Sequence, residues 1–258
     1  MEDNQITIFD KMNDTKTSLD TLKSIDLNNN GIQVFYGFLS LHDYLWFSSS
    51  EISKISTTIP VIHNYALSYA LNQFSYAIFF GNTPRYEEDF KKFKCYATPS
   101  ISFGSHRETI TYNALNDLKQ TPGQSKINTP NYGWKNVVVP NYFSKEEKDN
   151  LYAFKFFVFS FEGYILPKVI RLGKKGATCR VFWEELEKPV AKFSERSLSP
   201  SHPINPLDVT GEVIRGSIVK IPPHSFYRVT TIKNDWFISY SSKIVHIPKR
   251  ILEKVNEN

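Results

Sequence analysis

The chain has 258 residues and a mass of 29.9 kDa, enough for one large domain or for one domain with a substantial appendage. Apolar residues make up 41%, aromatic residues 15% and charged residues 22%, which excludes a disordered chain, a collagen and a coiled coil. The net charge of +5 permits a polyanionic partner without requiring one.

The first half of the chain predicts an extension, a central strand and a long helix. Residues 1–30 are acidic, lack sustained periodicity and end in an Asn-Asn-Asn-Gly turn signal, so we expect an N-terminal extension that is ordered only in part. Residues 31–47 carry apolar side chains on both alternating sets, as in a strand at the middle of a sheet. Pro60 opens a stretch with helical spacing, and Gly81 predicts the end of that helix.

The remaining elements are mostly strands. A short charged helix over 86–93 and a strand near 95–102 precede a polar, basic stretch over 104–140, which is long enough to indicate a functional or mobile segment. Residues 152–161 predict another strand that is apolar on both faces. Residues 170–186 predict the end of a strand, then a loop bounded by glycines, then a further strand. Residues 188–210 predict a loop, and short strands follow around 213–221, 226–232 and 236–247. This order favours an α+β fold with a mostly antiparallel sheet.

The two cysteines and the N-terminus bear on the cell compartment. Cys95 and Cys179 lie outside any Cys-x-x-Cys spacing, so the sequence suggests neither a zinc site nor a disulfide framework. Free, buried thiols are typical of a reducing cytoplasm. The sequence shows no apolar leader and no apolar run of the roughly 18 residues that a spanning helix needs. We therefore expect a cytoplasmic protein without a membrane partner.

Two basic segments stand out in a modestly basic chain. Between Lys91 and Lys135 the sequence contains seven basic residues and two acidic ones, and residues 163–180 contain five basic residues and no acidic one. The second segment contains Gly173-Lys174-Lys175-Gly176. Glycines let a backbone approach phosphates closely, and lysines neutralise the charge of phosphates, so this loop is a candidate phosphate-binding loop. The alternative interpretation is a basic β-turn exposed to solvent. The loop lacks the Walker spacing.

The polar stretch interleaves aromatic and basic residues at Tyr132-Gly133-Trp134-Lys135, with Arg107 also in the stretch. Rings that stack on unpaired bases and cations that follow the backbone are what binding of single-stranded RNA needs. The alternative is that Tyr132 and Trp134 anchor a loop to the core.

The sequence gives no positive sign of catalysis or of a metal site. Residues 26–31 imitate the start of a calcium loop, but the twelfth position is Gly37 instead of a bidentate Glu. His63 lies at the start of the long helix. It could act as a catalytic general base or as a phosphate contact, or it could be an ordinary polar residue of the first helical turn. The remaining histidines lack metal-ligand spacing, so we predict no metal and no cofactor.

Three blocks of the sequence resemble one known family. They are Val61-Ile-His-Asn-Tyr-Ala-Leu-Ser-Tyr-Ala-Leu71, then Pro130-Asn-Tyr-Gly133, then Pro167-Lys-Val-Ile-Arg-Leu-Gly-Lys-Lys-Gly176. In this order they resemble the Cas-five-type RAMP subunit, the Csc-one family, of type I-D CRISPR Cascade effector complexes. The resemblance spans roughly residues 30–190.

This resemblance implies both a fold and a role. The fold is an RRM-like, ferredoxin-like RAMP domain over 31–190 with a thumb insertion at about 103–145, followed by a small β-rich C-terminal subdomain over 191–258. The role is a non-catalytic one: binding the 5′ handle of the CRISPR guide RNA (crRNA) and capping the filament of backbone RAMP subunits. It also implies contact with the large subunit near the place where the protospacer-adjacent motif (PAM) of double-stranded target DNA is read.

Carried onto this chain, the resemblance implies a set of RNA contacts from the helix start and the basic loop. The thumb adds candidates by composition. The predicted RNA-binding residues are His63, Asn64, Tyr65, Arg107, Tyr132, Trp134, Lys135, Arg171, Gly173, Lys174, Lys175 and Gly176.

Two other functions stay open on the sequence alone. The chain could be a metal-independent ribonuclease that cuts repeat RNA, with His63 as the base and Lys174 or Lys175 stabilising the transition state. Its aromatic surface could instead serve protein contacts alone. The RNA-binding hypothesis requires that cationic and ring-bearing side chains from the two distant segments converge on one edge of the sheet.

Overall fold

The structure, a computed structural model, describes residues 24–47, 49–52, 55–73, 84–102, 105–114, 131–139 and 154–257. Predictions that concern residues 1–23, the second half of the long helix and the centre of the insertion lie outside these ranges. The strands are β1 Ser24–Asp26, β2 Ile32–Leu41, β3 Ser50–Ile52, β4 Ile55–Thr57, β5 Val61–Ile62, β6 Cys95–Ala97, β7 Ser100–Ser102, β8 His106–Ala114, β9 Asn131–Val139, β10 Phe154–Phe161, β11 Val169–Leu172, β12 Ala177–Glu185, β13 Val190–Ser194, β14 Glu212–Val219, β15 Phe226–Lys233, β16 Asp235–Tyr240 and β17 Lys243–His246. The helices are α1 Asn64–Asn72, α2 Tyr86–Phe90 and α3 Lys249–Glu257.

A seven-stranded sheet forms the centre of the fold. Its strands run in the order β11-β12-β2-β10-β7-β5, and β6 also pairs with β10. The two strands predicted to be apolar on both faces, β2 and β10, are antiparallel neighbours in its middle. Among all the strand pairs described, only β4 with β9 is parallel, so the prediction of a mostly antiparallel α+β fold is confirmed.

The two faces of this sheet bury two separate hydrophobic clusters. On β2, Val34 and Tyr36 join one cluster, whereas Leu39 and Leu41 join the other. On β10 the phenylalanines divide in the same way by odd and even position. Side chains alternate between the faces of a strand, so a strand with apolar residues at every position must be covered on both sides.

Helix α1 lies against the central sheet and is held by polar groups at its end. The side chain of Asn72 donates to the carbonyl oxygen of Cys95 at 2.9 Å and accepts from the backbone N–H of Lys94 at 2.7 Å. Ser68 accepts from the backbone N–H of Ala97 at 3.0 Å. These buried hydrogen bonds fix α1 beside β6 and thereby fix the position of its first turn.

A second sheet joins distant parts of the chain in the order β1-β13-β16-β17. Its first strand comes from the predicted extension, and Ile25 and Leu27 are buried in the core. Strand β13 and a short 3₁₀-helix at Pro206–Asp208 lie where the sequence predicted only a loop. That prediction was wrong for residues 190–194, because their pairing with β1 and β16 is tertiary and leaves little local signal.

The insertion contains a hairpin. Strands β8 and β9 pair antiparallel from His106 opposite Val139 to Ala114 opposite Asn131. Residues 106–114 and 131–139 are therefore regular strands within the polar, basic stretch for which the sequence indicated a functional or mobile segment. The base of the hairpin meets the body of the protein through paired backbone hydrogen bonds between Leu45 and Val138, at 2.7 and 3.0 Å.

Candidate functional site

The basic loop joins β11 to β12 in a turn whose shape depends on two glycines. Gly173 and Gly176 have φ angles of +77° and +64°, in the left-handed region that favours glycine. A Cβ atom on Gly173 would lie 2.6 Å from the carbonyl oxygen of Trp46. The same carbonyl accepts a 2.8 Å hydrogen bond from the backbone N–H of Lys174. The loop is therefore locked against Trp46, and the side chains of Lys174 and Lys175 are exposed.

The two basic segments meet at Trp46. The Nζ atom of Lys174 lies 5.5 Å from the centre of the Trp46 ring, and Nζ of Lys135, from the hairpin, lies 5.1 Å from it. The indole N–H donates to Oγ of Ser56 at 3.1 Å, which fixes the orientation of the ring. A cation from each basic segment thus lies beside the same aromatic ring, an arrangement that suits the phosphates of a polyanion.

His63 caps the N-terminus of α1 and lies in the same region as Lys174. Its Nδ1 atom accepts a 3.1 Å hydrogen bond from the backbone N–H of Tyr65. Its Nε2 atom therefore carries the proton of the neutral ring and donates to the carbonyl oxygen of His224 at 3.0 Å. Burial lowers the pKa of His63 to about 4, so the ring is neutral at pH 7. Both ring nitrogens are engaged within the protein.

Asn64 is fully buried in a polar cluster. Its amide donates to the hydroxyl of Tyr96 at 2.8 Å and to Oδ2 of Asp208 at 3.3 Å, and its oxygen accepts from Asn205 at 3.3 Å. Burial raises the pKa of Asp208 to about 6. In this conformation Asn64 offers no surface to a ligand. Its hydrogen bonds hold the first turn of α1, and the RNA contact that the resemblance implies for Asn64 stays a prediction.

An aromatic cleft of about 390 Å³ opens beside the basic loop. His63 and Lys174 both line it, so the structure brings together the helix start and the basic loop as the RNA-binding hypothesis required. Tyr65, although only 2% exposed, lines it too, and its ring lies 4.6 Å from that of Tyr86. The other lining residues are Phe47, Ser49, Val61, Ala66, Tyr69, Pro84, Ile221, Pro222 and Pro223.

The sequence did not single out several residues of this site. Tyr69 belongs to the apolar helical pattern, which indicated a core residue, and Tyr86 to the short charged helix, which indicated a surface residue. Pro222 and Pro223, which form the C-terminal wall of the cleft, indicated only a loop. Trp46 appeared as one more apolar residue of the first strand. The resemblance ends near residue 190, so it gave no reason to connect the C-terminal segment with the helix start.

The remaining predicted residues are placed as follows. Arg171 is exposed, and its guanidinium donates to the carbonyl oxygen of Gly176 at 2.9 Å, across the base of the loop. Arg107 is exposed on β8. The backbone of Tyr132 pairs with Asn113, and that of Trp134 with Thr111 and Ile55. Their side chains lie outside what the structure describes.

Other classes of site leave no trace in the parts of the chain that are described. No three His, Cys, Asp or Glu side chains there are grouped to hold a metal ion. Cys95 and Cys179 are both buried, and burial raises the pKa of the Cys179 thiol to about 12 and that of Cys95 further. Within those same ranges, every helix is too short or too polar to cross a bilayer.

The mostly antiparallel sheet flanked by helices defines an α+β protein, and its two basic segments meet beside an aromatic cleft. A sequence model of the family described as "Type I-D CRISPR-associated protein Cas5/Csc1" matches residues 32–253, and the chain belongs to this family. The resemblance predicted from the three sequence blocks is thereby confirmed. The chain is a type I-D Cas5-type subunit of a CRISPR effector complex.

No curated protein matches the chain. Among solved structures, it is similar to a chain of "Cryo-EM structure of the Type III-B Cmr-beta bound to cognate target RNA and AMPPnP, state 1". The similarity covers 86% of this chain and 89% of that chain, with 7% sequence identity and a TM-score of 0.41.

Proposed function

We propose that this subunit binds the 5′ handle of the crRNA at the junction of its two basic segments and does not cut it. The observation that carries this proposal is the meeting of Lys135 and Lys174 at Trp46, beside the aromatic cleft. Lysines at that junction neutralise phosphates, and Lys175 and Arg171 extend the positive surface along the loop. The hairpin β8–β9 serves as the thumb of a RAMP-type, ferredoxin-like domain and carries Arg107 to the same RNA.

The cleft provides a place for an unpaired base of the handle. Tyr69, Tyr86 and the Pro222–Pro223 wall offer rings and apolar surface, and Lys174 stands at its side. A base stacked on an aromatic side chain contributes about 1–3 kcal/mol. Phosphate contacts thus supply affinity, and the stacked base sets the register of the strand.

The geometry of His63 supports binding without cleavage. A general base needs an unprotonated nitrogen within reach of the attacking hydroxyl. Nδ1 of His63 already accepts from Tyr65, and Nε2 carries a proton donated to His224. The ribonuclease alternative would require His63 to break both bonds.

The test of RNA binding is the salt dependence of affinity. For the Lys174→Ala/Lys175→Ala variant, we expect weaker binding of a handle oligonucleotide. The slope of log K against log salt should become shallower by about 1.4, since each single-strand phosphate contact contributes about 0.7. Lys188→Ala/Lys192→Ala is the matched control, because both lysines are exposed near or on β13, in the other sheet. Unchanged affinity and slope in the loop variant would refute the proposal.

The test of non-cleavage uses repeat RNA in EDTA. We expect intact RNA after incubation with the purified chain. Cleavage that disappears in His63→Ala would establish the ribonuclease instead.

We further propose that the subunit caps the filament of backbone RAMP subunits and contacts the large subunit and the target DNA duplex near the PAM. Membership of the family supports this placement. Crosslinking of the assembled complex, with a photoreactive residue in place of Arg107, tests it. Crosslinks to a backbone subunit or to handle RNA fit the placement of the thumb, and their absence would contradict it.

A further inference from the structure

One face of the central sheet is covered only in part. On β12, Cys179 and Val181 are buried in the hydrophobic cluster that also contains residues of α1. Side chains alternate along a strand, so Arg180 and Phe182 lie on the opposite face, where both are exposed, Phe182 by 58%. The hydrophobic cluster on that face extends along β2 to Tyr36. The part of the face nearer the basic loop is therefore accessible to solvent.

Two phenylalanine rings lie side by side on this accessible part. The backbone register places Phe182 of β12 directly opposite Phe38 of β2, and residues paired in this way share one face of a sheet. The centres of the two rings are 6.2 Å apart, and Phe38 is half-buried. The rings thus form a platform on two adjacent strands of the sheet.

Cations flank the two rings on the same face. Lys155 of β10 is paired with Phe38, and its Nζ atom lies 5.8 Å from the centre of the Phe38 ring. Arg180 precedes Phe182 by two positions on β12 and is exposed. Arg171, also exposed, lies on the neighbouring strand β11 and on the same face by its register. Positive charge is therefore present on both sides of the platform.

The charge distribution favours a nucleic acid over a protein as the occupant. The core of a protein interface is depleted in charged residues, but here Lys155 and Arg180 lie next to the rings. Val169, 46% exposed, lies opposite Arg180 at the outer edge of the sheet. At the far end of the face, the carboxylate of Glu184 accepts a hydrogen bond from the hydroxyl of Tyr240. Cations that meet phosphates and rings that meet bases are the two requirements of single-strand binding.

We propose that this surface binds an unpaired nucleic-acid strand, with one base stacked on each ring. We call it the aromatic face and define it by Phe38, Lys155, Arg171, Arg180 and Phe182. Aromatic side chains on adjacent strands of an antiparallel sheet stack bases in the same way in RRM domains. The proposal goes beyond handle binding at the basic loop and does not depend on it, because neither ring lines the cleft.

The test measures the affinity of the full chain for an oligouridine of about 12 nucleotides, a length within the site sizes of single-strand binding surfaces. Phe182→Leu keeps an apolar side chain but removes the ring, so we expect about tenfold weaker binding, a loss of about 1.4 kcal/mol. The slope of log K against log salt should not change, because stacking releases no counterions. Phe182→Tyr restores a ring and should bind as wild type does. Urea unfolding of Phe182→Leu checks that this variant is folded.

Two more substitutions control for charge and for exposure. Arg180→Ala should weaken binding and make the salt slope shallower by about 0.7, as for loss of one phosphate contact. Ile218→Ala is the matched control, because Ile218 is 61% exposed on β14, in a separate sheet, and its loss should leave the affinity unchanged.

The loop variant Lys174→Ala/Lys175→Ala separates this proposal from the proposed function. We expect Phe182→Leu to weaken oligouridine binding by the same factor in the loop-variant background as in the wild type. If the loop variant binds the handle oligonucleotide as wild type does, the proposed function fails and the aromatic face stands. If Phe182→Leu keeps wild-type affinity for oligouridine while the loop variant loses the handle, the RNA site on the aromatic face fails alone.

Oligothymidine of the same length identifies the strand. Weaker binding of both polymers by Phe182→Leu indicates a site for either kind of strand, and weaker binding of one polymer assigns the face to RNA or to DNA. Wild-type affinity of this variant for both polymers, or no binding of either by the wild-type chain, would overturn the proposal. Loss of a protein subunit from the complex of Phe182→Leu, with both affinities unchanged, would assign the face to a protein instead.

Discussion

Replacing Gly173 by alanine tests whether the basic loop is locked against Trp46. A Cβ atom there would meet the Trp46 carbonyl oxygen at 2.6 Å, and alanine at a φ of +77° is also disfavoured. The left-handed conformation costs about 1–2 kcal/mol, and the backbone clash raises the total to about 2–4 kcal/mol. Gly176 is the control, since at φ +64° its nearest neighbour would be Cδ of Arg171 at 3.7 Å, an ordinary contact.

Urea unfolding of the two variants measures the difference. Gly176→Ala should lose about 1–2 kcal/mol of unfolding free energy, and Gly173→Ala at least about 1 kcal/mol more. Because the clash pushes the loop away from Trp46, the hydrogen bond from Lys174 weakens, and handle affinity should fall further in Gly173→Ala than in Gly176→Ala. Equal losses of stability and affinity in the two variants would refute the locked-loop reasoning.

Three further substitutions test the core around the site. Trp46→Phe removes the indole N–H and some ring volume and should lower the unfolding free energy by about 2 kcal/mol in urea; an unchanged value would show that the indole does not anchor the junction. Asn72→Ala leaves buried backbone groups at Cys95 unsatisfied and should cost about 2–4 kcal/mol by the same assay, and a cost under about 1 kcal/mol would contradict its anchoring role. The pKa of Asp208 is raised from 3.8 to about 6, so its contribution to stability is full below pH 3.8 and is lost as the pH rises through about 6. The stability of Asp208→Asn relative to wild type should therefore increase by about 3 kcal/mol between about pH 4 and pH 7, and a pH-independent difference would contradict the shift.

The sequence predicted the elements whose local pattern and tertiary environment agree. Strands β2 and β10 are apolar at consecutive positions, and such residues fit only between two covered faces. The start of α1 was also predicted near His63. The apolar residues of this helix have helical spacing, and that spacing matches the face of the helix that packs on the sheet. The strands predicted around 213–221 and 226–232 were also found within a few residues of their observed bounds, whereas the single strand predicted around 236–247 is two antiparallel strands, β16 and β17.

Elements that depend on distant partners escaped prediction. Strand β13 is five residues long, and its conformation is set by β1 and β16 on either side. The cleft was missed because its walls come from residues 47–86, 174 and 221–223, which no local spacing connects. Helix α3 was not predicted, although Ile251, Leu252 and Val255 have helical spacing.

The pairing of β1 with β13 constrains how the protein is made. Asp26 lies opposite Val190, and β13 in turn needs β16, which ends at Tyr240. At a synthesis rate of about 5–20 residues per second, the first strand leaves the ribosome on the order of ten seconds before its partners exist. Until the residues up to Tyr240 have emerged, Ile25 and Leu27 have no completed sheet to join, so this layer can close only after β13 and β16 have been synthesised.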